Sequence, residues 1–233
     1  MKQVIISGAS AGIGAATAAG FLAAGWAVTN VSRRPCPVAG ANSIACDFSD
    51  PQAVQRACGE LEAIARAAEP LLLIHNASLL RNDRCGEVPD ADFREILQIN
   101  LAAPNALNSA LLPLMKPGSA VIYVGSTLAE KAVPNAYSYV TTKHATIGMM
   151  RATCQDLAGR DIHTACVCPG FTDTEMLRTH IGTDPETEQA VASMSAFGRL
   201  ITPEEIAETI IWAALHPVVN GAVLHANLGQ LER

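Results

Sequence analysis

Short apolar runs alternate along this chain with longer segments in which apolar residues recur every three or four positions. The short runs have the length of strands, and the longer periodic segments have the length of helices. The short runs predict seven strands, over residues 2–7, 26–32, 42–46, 71–78, 120–125, 161–168 and 221–227. The periodic segments predict helices over residues 13–24, 51–68, 90–115, 138–159 and 203–215.

The alternation of strands and helices predicts the architecture. Apolar strands joined through helices pair in parallel and are covered on both faces. We therefore predict an α/β fold with one doubly wound domain over residues 1–233, built on a seven-stranded parallel sheet flanked by helices. The segment 171–200 has weak periodicity and is interpreted as a mobile lid.

Two local signals refine the helices. Pro104 interrupts the periodicity of 90–115, and a proline inside a helix kinks it and frees a backbone carbonyl. Asn100 lies one turn before this kink. The last helix begins with the residues of a capping box, Thr202, Pro203 and Glu205.

A glycine-rich sequence, GASAGIG, links the first strand to the first helix. Strand, glycine-rich turn and helix together bind the pyrophosphate of a dinucleotide, with the unpaired N–H groups of the helix facing the phosphates. The spacing is G-x-x-x-G-x-G rather than the common G-x-G-x-x-G, so a plain strand-to-helix turn is the alternative. The residues predicted to bind a cofactor here are Gly8, Ser10, Gly12, Ile13 and Gly14.

The end of the second strand predicts the form of the cofactor. The residue at this position usually faces the adenosine ribose, and an acidic residue there repels a 2′-phosphate. Here Ser32 is followed by Arg33 and Arg34. A guanidinium can clamp a phosphate in a forked geometry, and a serine can donate to it. We expect NADP(H) in preference to NAD(H), bound by Ser32 and Arg33, with Arg34 as a solvated loop charge.

Other residues follow strands where parallel sheets bind ligands. Asp47 and Phe48 follow the third strand, and Asp47 can accept from the adenine amino group or serve only its own turn. Asn76 and Ala77 follow the fourth strand. All four are predicted to contact the cofactor.

A serine, a tyrosine and a lysine are spaced in a way that suits proton transfer. Tyr139 lies thirteen residues after Ser126, and Lys143 lies one helical turn after Tyr139 on the same face. An ammonium beside a phenol favours the phenolate, so we expect the pKa of Tyr139 to fall from its usual value of about 10. Such a phenol can exchange a proton with a substrate oxygen near neutral pH. Tyr123 and Tyr137 lack such a lysine and are interpreted as packing or lid residues.

Composition excludes several classes of protein. The 233 residues, 49% of them hydrophobic, suffice for one buried core. A net charge of −6 without a basic run argues against nucleic acid and anionic membrane surfaces as partners. No apolar run has the length of a membrane span, and the start of the chain does not resemble a signal peptide. The seven cysteines lack framework or metal-site spacing and are interpreted as buried free thiols in a reducing cytoplasm, with no metal site predicted.

Together these motifs resemble those of the short-chain dehydrogenase/reductase family over essentially the whole chain. The family's TGxxxGxG matches Ser7 to Gly14, with serine in place of threonine, and its YxxxK matches Tyr139 to Lys143. The resemblance implies a Rossmann-type NAD(P)-binding fold. It implies a catalytic set of Asn100, Ser126, Tyr139 and Lys143. It also implies that the PGxxxT motif binds the cofactor through Pro169, Gly170, Thr172 and Thr174.

The resemblance implies hydride transfer between a nicotinamide and a small-molecule carbonyl or secondary alcohol. Tyr139 would transfer the proton, Ser126 would bind the same oxygen, Lys143 would also bind the nicotinamide ribose, and Asn100 would hold a water linking Lys143 to solvent. A weakly active NADP(H)-binding sensor is the alternative, although such proteins often lack the tyrosine or lysine. Sugar-nucleotide epimerisation or dehydration is a third, usually found in longer chains. The family also implies a homodimer or homotetramer paired through helices 90–115 and 138–159.

Departures from the family's pattern bear on the substrate and on subunit contacts. The family's NNAG turn appears as His75 to Ser78, with serine in place of the last glycine, and its D-G-G ending appears as Asn227 to Gly229. The predicted substrate-facing stretches are 78–86, 127–137 and 171–200. They mix apolar side chains with Arg81 and Arg178, which is compatible with an apolar or weakly acidic substrate.

Overall fold

A seven-stranded parallel sheet forms the centre of the molecule. A computed structural model describes residues 1–182 and 184–230, so residue 183 of the predicted lid and residues 231–233 of the predicted domain lie outside the described residues. The strands are Gln3–Ser7 (β1), Ala27–Ser32 (β2), Asn42–Ala45 (β3), Leu71–His75 (β4), Ala120–Val124 (β5), His163–Pro169 (β6) and Ala222–Ala226 (β7). Their order, β3-β2-β1-β4-β5-β6-β7, confirms the predicted doubly wound fold.

Helices cover both faces of the sheet. They are Gly12–Ala23 (α1), Pro51–Ala67 (α2), Asp90–Leu97 (α3), Ala103–Leu111 (α4), Tyr137–Asp156 (α5), Glu175–Ile181 (α6), Pro185–Ala192 (α7) and Pro203–Leu215 (α8). A π-helical turn covers Gln98–Ala102, and short 3₁₀ turns cover Leu112–Leu114, Thr127–Ala129 and Pro217–Val219. Helices α1 and α8 pack on one face of the sheet, and α2, α4 and α5 pack on the other.

The apolar runs become strands because both of their faces are buried. Ile5 of β1 packs with α2, α4 and α5, whereas its neighbours Val4 and Ile6 pack with α1 and α8. From β1 the chain first builds the sheet outward through β2 and β3, and then returns to β4 on the other side of β1. Such a reversal leaves a crevice at the carboxyl ends of β1 and β4, where doubly wound sheets bind ligands.

The helix predicted over 90–115 is divided into α3, the π turn and α4. Pro104 is the second residue of α4 and has no N–H to donate to the carbonyl of Asn100, four residues earlier. The predicted kink is therefore a π turn, with Asn100 buried within it. The capping box of α8 is confirmed: Thr202 Oγ1 accepts from the Glu205 N–H at 3.3 Å, and the Glu205 carboxylate accepts from the Thr202 N–H at 2.9 Å.

The predicted lid, 171–200, contains two short helices that its weak periodicity did not predict. Thr174 caps α6 and Asp184 caps α7 with their side-chain oxygens. The guanidinium of Arg178 in α6 pairs with Glu188 in α7 and holds the two helices together. Closure of this segment over a substrate stays a prediction.

The cysteines are free thiols, as predicted, but not all of them are buried. Cys85 is exposed, and Cys36 and Cys154 are half-buried. Cys166 and Cys168 lie on one face of β6 with their sulfurs 3.7 Å apart. None of the helices within the described ranges is long and apolar enough to cross a membrane.

A buried polar network links β4, α4, β5 and α5. His75 Nε2 lies 2.8 Å from Asn108 Oδ1, Asn108 Nδ2 donates to the Tyr123 hydroxyl at 2.7 Å, and Thr153 Oγ1 lies 3.1 Å from that hydroxyl. Because an amide oxygen only accepts, Nε2 of His75 carries its hydrogen, and the acceptor Nδ1 has no partner among the described residues. Burial lowers the pKa of His75 to about 4, although the bond to Asn108 opposes this effect.

Acid should therefore destabilise the fold through His75. In the unfolded chain this histidine has a pKa of 6.5 and is protonated below that pH, whereas in the folded chain it stays neutral until about pH 4. The stabilising contribution is complete above pH 6.5 and is lost as the pH falls toward 4. Between these limits the unaltered protein should lose on the order of 3 kcal/mol of unfolding free energy through His75. In His75→Gln this part of the loss should be absent, and urea denaturation at both pH values measures the difference.

The control for this measurement is His180→Gln, which changes an exposed histidine of α6. It should leave the pH dependence of the unfolding free energy as in the unaltered protein. An unchanged pH dependence in His75→Gln would contradict the role given to His75.

Candidate active site

The loop between β1 and α1 has a backbone that favours glycine. Gly8 and Gly12 have φ angles of +76° and +51°. A Cβ on Gly14 would lie 2.3 Å from the carbonyl oxygen of Gly8, so no side chain fits there. Ser10 and Ile13 are half-buried in the same loop and first turn, and their contact with a cofactor stays a prediction.

Two side chains from the strand ends hold this loop. Asn76 Nδ2 donates to the carbonyl oxygens of Ser7 and Gly8, both at 3.0 Å. The Ser7 hydroxyl oxygen accepts from the backbone N–H groups of Asn76 and Ala77, also at 3.0 Å. Asn76 and Ala77 thus support the glycine loop, and their predicted contact with a cofactor stays a prediction. The supporting role of Ser7 was missed, although its hydroxyl replaces that of the family's threonine.

The N-terminus of α1 carries no side-chain cap. Its N-cap residue, Ala11, provides no side-chain hydrogen bond. A Cβ on Gly12 would lie 3.1 Å from the methyl carbon of Thr174, so the Pro169–Thr174 segment borders the same helix end. Unpaired N–H groups in a cradle that a side chain would fill suit the pyrophosphate of a dinucleotide. These residues therefore fit the predicted cofactor.

The rest of the PGxxxT segment is fixed by its neighbours. The Gly170 N–H donates to the Ala226 carbonyl at 3.0 Å, and Thr172 Oγ1 donates to the Gly170 carbonyl at 3.1 Å. Pro169 and Thr172 are buried. A Cβ on Gly170 would lie 2.9 Å from that of Asn227, so this backbone also admits only glycine.

The end of β2 is organised by Asn30, a residue that was not predicted to have a role. Its Oδ1 accepts from the Ala9 N–H in the glycine loop at 2.8 Å, and also lies 3.1 Å from the Ser32 hydroxyl. The Ser32 hydroxyl donates to the Arg34 carbonyl at 2.7 Å, so it would have to give up this bond to serve a 2′-phosphate. A buried amide side chain in the middle of strand β2 was the available signal for this role.

The two arginines after β2 are in different states. Arg34 is an exposed loop charge, as predicted, and it also pairs with Glu175 of α6 at 3.0 Å. Arg33 is exposed and forms no ion pair with the part of the chain that the structure describes. Of the two, Arg33 is the guanidinium free to meet a phosphate, and its binding role stays a prediction.

Asp47 serves its own turn, in line with one of its two interpretations. Its Oδ1 accepts from the Ser49 N–H at 2.9 Å and from the Ser49 hydroxyl at 2.8 Å. These bonds lower the pKa of Asp47, and the charge of Arg33 adds to the effect. The ring of Phe48 packs into the core, so only its backbone can face a ligand. A contact between Asp47 and adenine stays a prediction.

Tyr139 and Lys143 are buried in the first two turns of α5. The Lys143 ammonium donates to the Val124 carbonyl at 2.8 Å and lies 5.4 Å from the centre of the Tyr139 ring. The positive charge therefore lies beside the phenol, as the spacing predicts. Val124 uses one of the three ammonium hydrogens, and two can serve a ligand or water.

Ser126 follows β5 through Gly125. Ser126 Oγ accepts from the Leu128 N–H at 3.1 Å and caps the 3₁₀ turn that follows. Because this oxygen accepts, its own hydrogen is available to a substrate oxygen. A Cβ on Gly125 would lie 2.6 Å and 2.8 Å from the sulfurs of Cys168 and Cys166. Only glycine fits at position 125, so the position of Ser126 at the end of β5 depends on that glycine.

Asn100 joins the π turn to two other parts of the site. Its Oδ1 accepts from the Leu79 N–H at 2.8 Å, and its Nδ2 donates to the Leu79 carbonyl and to Thr142 Oγ1, both at 3.0 Å. Thr142 lies between Tyr139 and Lys143 in α5. These bonds hold the side chain of Asn100 on Leu79 and Thr142. The backbone carbonyl of Asn100, to which Pro104 cannot donate, is an acceptor open to the predicted water.

The two arginines on the predicted substrate side are neutralised by carboxylates. Arg81 pairs with acidic residues of α3, and Arg178 pairs with Asp173 and Glu188. The bond from Arg178 lowers the pKa of Asp173, which keeps this carboxylate charged. Both cations are already paired with carboxylates, which weakens the support that they gave to a weakly acidic substrate.

Known proteins share this architecture. A family model described as Enoyl-(Acyl carrier protein) reductase matches residues 8–230. The 3-oxoacyl-[acyl-carrier-protein] reductase FabG of Salmonella typhimurium is 27% identical over 240 residues, which cover 98% of this chain and 96% of the relative. Aldohexose dehydrogenase of Thermoplasma acidophilum, solved in ligand-free form, is 25% identical with a TM-score of 0.90, covering 98% of this chain and 93% of that one. A 3-oxoacyl (acyl-carrier-protein) reductase of Agrobacterium tumefaciens with NADP bound has a TM-score of 0.89 at 25% identity, over the same shares.

The contacts of Gly14 lead to a stability prediction. Gly14→Ala should lower the unfolding free energy by about 1–3 kcal/mol, because its methyl group would meet the Gly8 carbonyl at 2.3 Å. The matched control is Gly59→Ala in α2, where a Cβ meets no atom within 4 Å. This control should instead stabilise the protein by about 0.5–1 kcal/mol. Urea unfolding of both variants measures the difference, and equal effects would contradict the crowding at Gly14.

Proposed function

We propose that this chain, which belongs to the short-chain dehydrogenase/reductase family of oxidoreductases, interconverts a carbonyl and a secondary alcohol with NADP(H) as its cofactor. The observation that carries the proposal is the buried pair on α5. The Lys143 ammonium is fixed on the Val124 carbonyl, two residues before Ser126, and lies 5.4 Å from the Tyr139 ring. A phenol, a cation and a hydroxyl are thus held by one strand end and one helix.

The residues of the chain act on the substrate oxygen. When bound, the nicotinamide ring supplies or accepts the hydride at the substrate carbon. In the reducing direction Tyr139 donates its proton to the oxygen, on which negative charge develops. Ser126 donates a hydrogen bond to the same oxygen, which its accepting bond from Leu128 leaves it able to do.

Lys143 supports this transfer in two ways. Its positive charge stabilises the phenolate that remains when Tyr139 has lost its proton. Its two unused hydrogens can bind the nicotinamide ribose and a water that returns the proton. The backbone carbonyl of Asn100 would accept from that water, because Pro104 cannot donate to it and the Asn100 side chain is held on Leu79 and Thr142.

Arg33 supports NADP(H) over NAD(H). It is exposed beside the end of β2 without an ion pair to any described residue, whereas Arg34 is bound to Glu175. The A. tumefaciens reductase that this chain resembles was solved with NADP bound, which is in keeping with the same choice. A 2′-phosphate would supply the dianion that Arg33 lacks.

Tyr139→Phe tests the proton transfer. We expect turnover to fall by about 10²–10⁴-fold while NADPH affinity is kept, because only the hydroxyl is lost. NADPH oxidation is measured over a panel of ketones, aldoses and 3-oxoacyl thioesters. The matched control is Tyr137→Phe, which removes a hydroxyl two residues away, from a half-exposed ring stacked on Phe93, and should lower turnover far less than Tyr139→Phe. Equal turnover in Tyr139→Phe and the unaltered protein would refute the role of Tyr139.

Arg33→Ala tests the cofactor choice. Loss of a charge-assisted bond to the 2′-phosphate should raise the Kd for NADPH by about 10- to 100-fold and leave the Kd for NADH unchanged. Fluorescence titration measures both constants without any substrate. Arg34→Ala, which removes the neighbouring charge, is the control and should change the NADPH/NADH ratio much less. A ratio unaffected by Arg33→Ala would exclude the phosphate clamp.

A further inference from the structure

The helix that carries Tyr139 and Lys143 has no cap from its own sequence. Its N-cap residue is Ala136, which makes no side-chain hydrogen bond. The first N–H groups of a helix have no acceptor within the helix, so an exposed or capped start is needed to satisfy them. Ser138, the second residue of α5, is fully buried, so water cannot take this role.

Asp83 provides the missing cap from a distant part of the chain. Its Oδ1 accepts from the Ser138 N–H at 2.9 Å, and its Oδ2 accepts from the Ser138 hydroxyl. An aspartate on the first turn is also favoured by the helix dipole. Both bonds end on the residue directly before Tyr139.

The backbone strengthens this contact. The Asp83 N–H donates to the Asn135 carbonyl at 3.1 Å, and the Tyr137 N–H donates to the Asp83 carbonyl at 3.3 Å. Asp83 and Ala136 thus form a parallel bridge. The side chain of Arg84 adds a bond from its Nε to the Asn135 side chain. The start of α5 is therefore paired with the Asp83 segment as one strand is paired with another.

The other end of the same segment is bound to Asn100. Both backbone groups of Leu79 are hydrogen-bonded to the Asn100 side chain, which also bonds Thr142 in α5. The short stretch 79–83 is consequently attached to the helix of Tyr139 at both of its ends. It also lies within 78–86, a stretch predicted from sequence to face the substrate.

We infer that Asp83 is a positioning residue for Tyr139. Its carboxylate fixes the first turn of α5 and thereby the position of the Tyr139 hydroxyl. It also couples the predicted substrate-facing stretch 79–83 to the proton donor. The catalytic consequence rests on the proposed function, whereas the structural role does not.

Amide hydrogen exchange tests the structural role without any substrate. In Asp83→Ala, the amides of residues 137–141 should exchange about fivefold faster or more, because the capping bonds are lost. Asp83→Asn should restore slow exchange, because its oxygen still accepts from the Ser138 N–H. The matched control is Asp50→Ala, which removes the side-chain cap of α2 and should speed exchange only at the start of that helix. Exchange at 137–141 as slow in Asp83→Ala as in the unaltered protein would overturn the inference.

Steady-state kinetics tests the catalytic consequence with a carbonyl that the unaltered protein reduces. Asp83→Ala should lower kcat about fivefold or more while the KM and the NADPH Kd stay unchanged, and Asp83→Asn should recover most of the kcat. A change in NADPH affinity of the same size as the change in kcat would mark a general structural defect and overturn the positioning role. If the unaltered protein reduces none of the panel, the proposed function fails, and the exchange result still decides the role of Asp83.

Discussion

The hydrogen bond from the Lys143 ammonium to the Val124 carbonyl is the interaction on which the site depends. It ties α5 to the end of β5 and fixes the cation beside Tyr139. An ammonium buried to this degree is costly unless several acceptors surround it. Among the described protein atoms, the Val124 carbonyl is the acceptor provided for this ammonium. Its other two hydrogens need acceptors from a molecule that binds in the crevice. The hydroxyl oxygens of the nicotinamide ribose, in the proposed function, would meet this demand.

The crevice itself follows from the pairing of β1 with β4. Their register sets Ser7 opposite His75, which brings Asn76 directly beneath the glycine loop. The Asn76 side-chain amide donates to two carbonyls of the loop, and the Ser7 hydroxyl accepts from the two N–H groups that follow β4. The loop is consequently held by protein groups alone, and a phosphate bound there, as proposed, would require little further ordering.

Features encoded by neighbouring residues could be predicted from sequence, and features formed between distant residues could not. The seven strands, the glycine loop and the Tyr139–Lys143 pair depend on local periodicity and spacing, and the structure has all of them. The cap of α5 by Asp83 joins residues 55 positions apart, and no periodicity announces it. Helices α6 and α7 were not predicted because each is too short for a periodic pattern to develop.

The close fit of Gly125 against two sulfurs makes three positions depend on one another. A side chain at position 125 could be accommodated only if both Cys166 and Cys168 were replaced by smaller residues, and these lie on a strand whose other face is already filled. Descendants of this sequence would therefore be expected to change the three together or not at all. Covariation among positions 125, 166 and 168, rather than the identity of any single residue, would then indicate that the position of the Ser126 backbone is maintained.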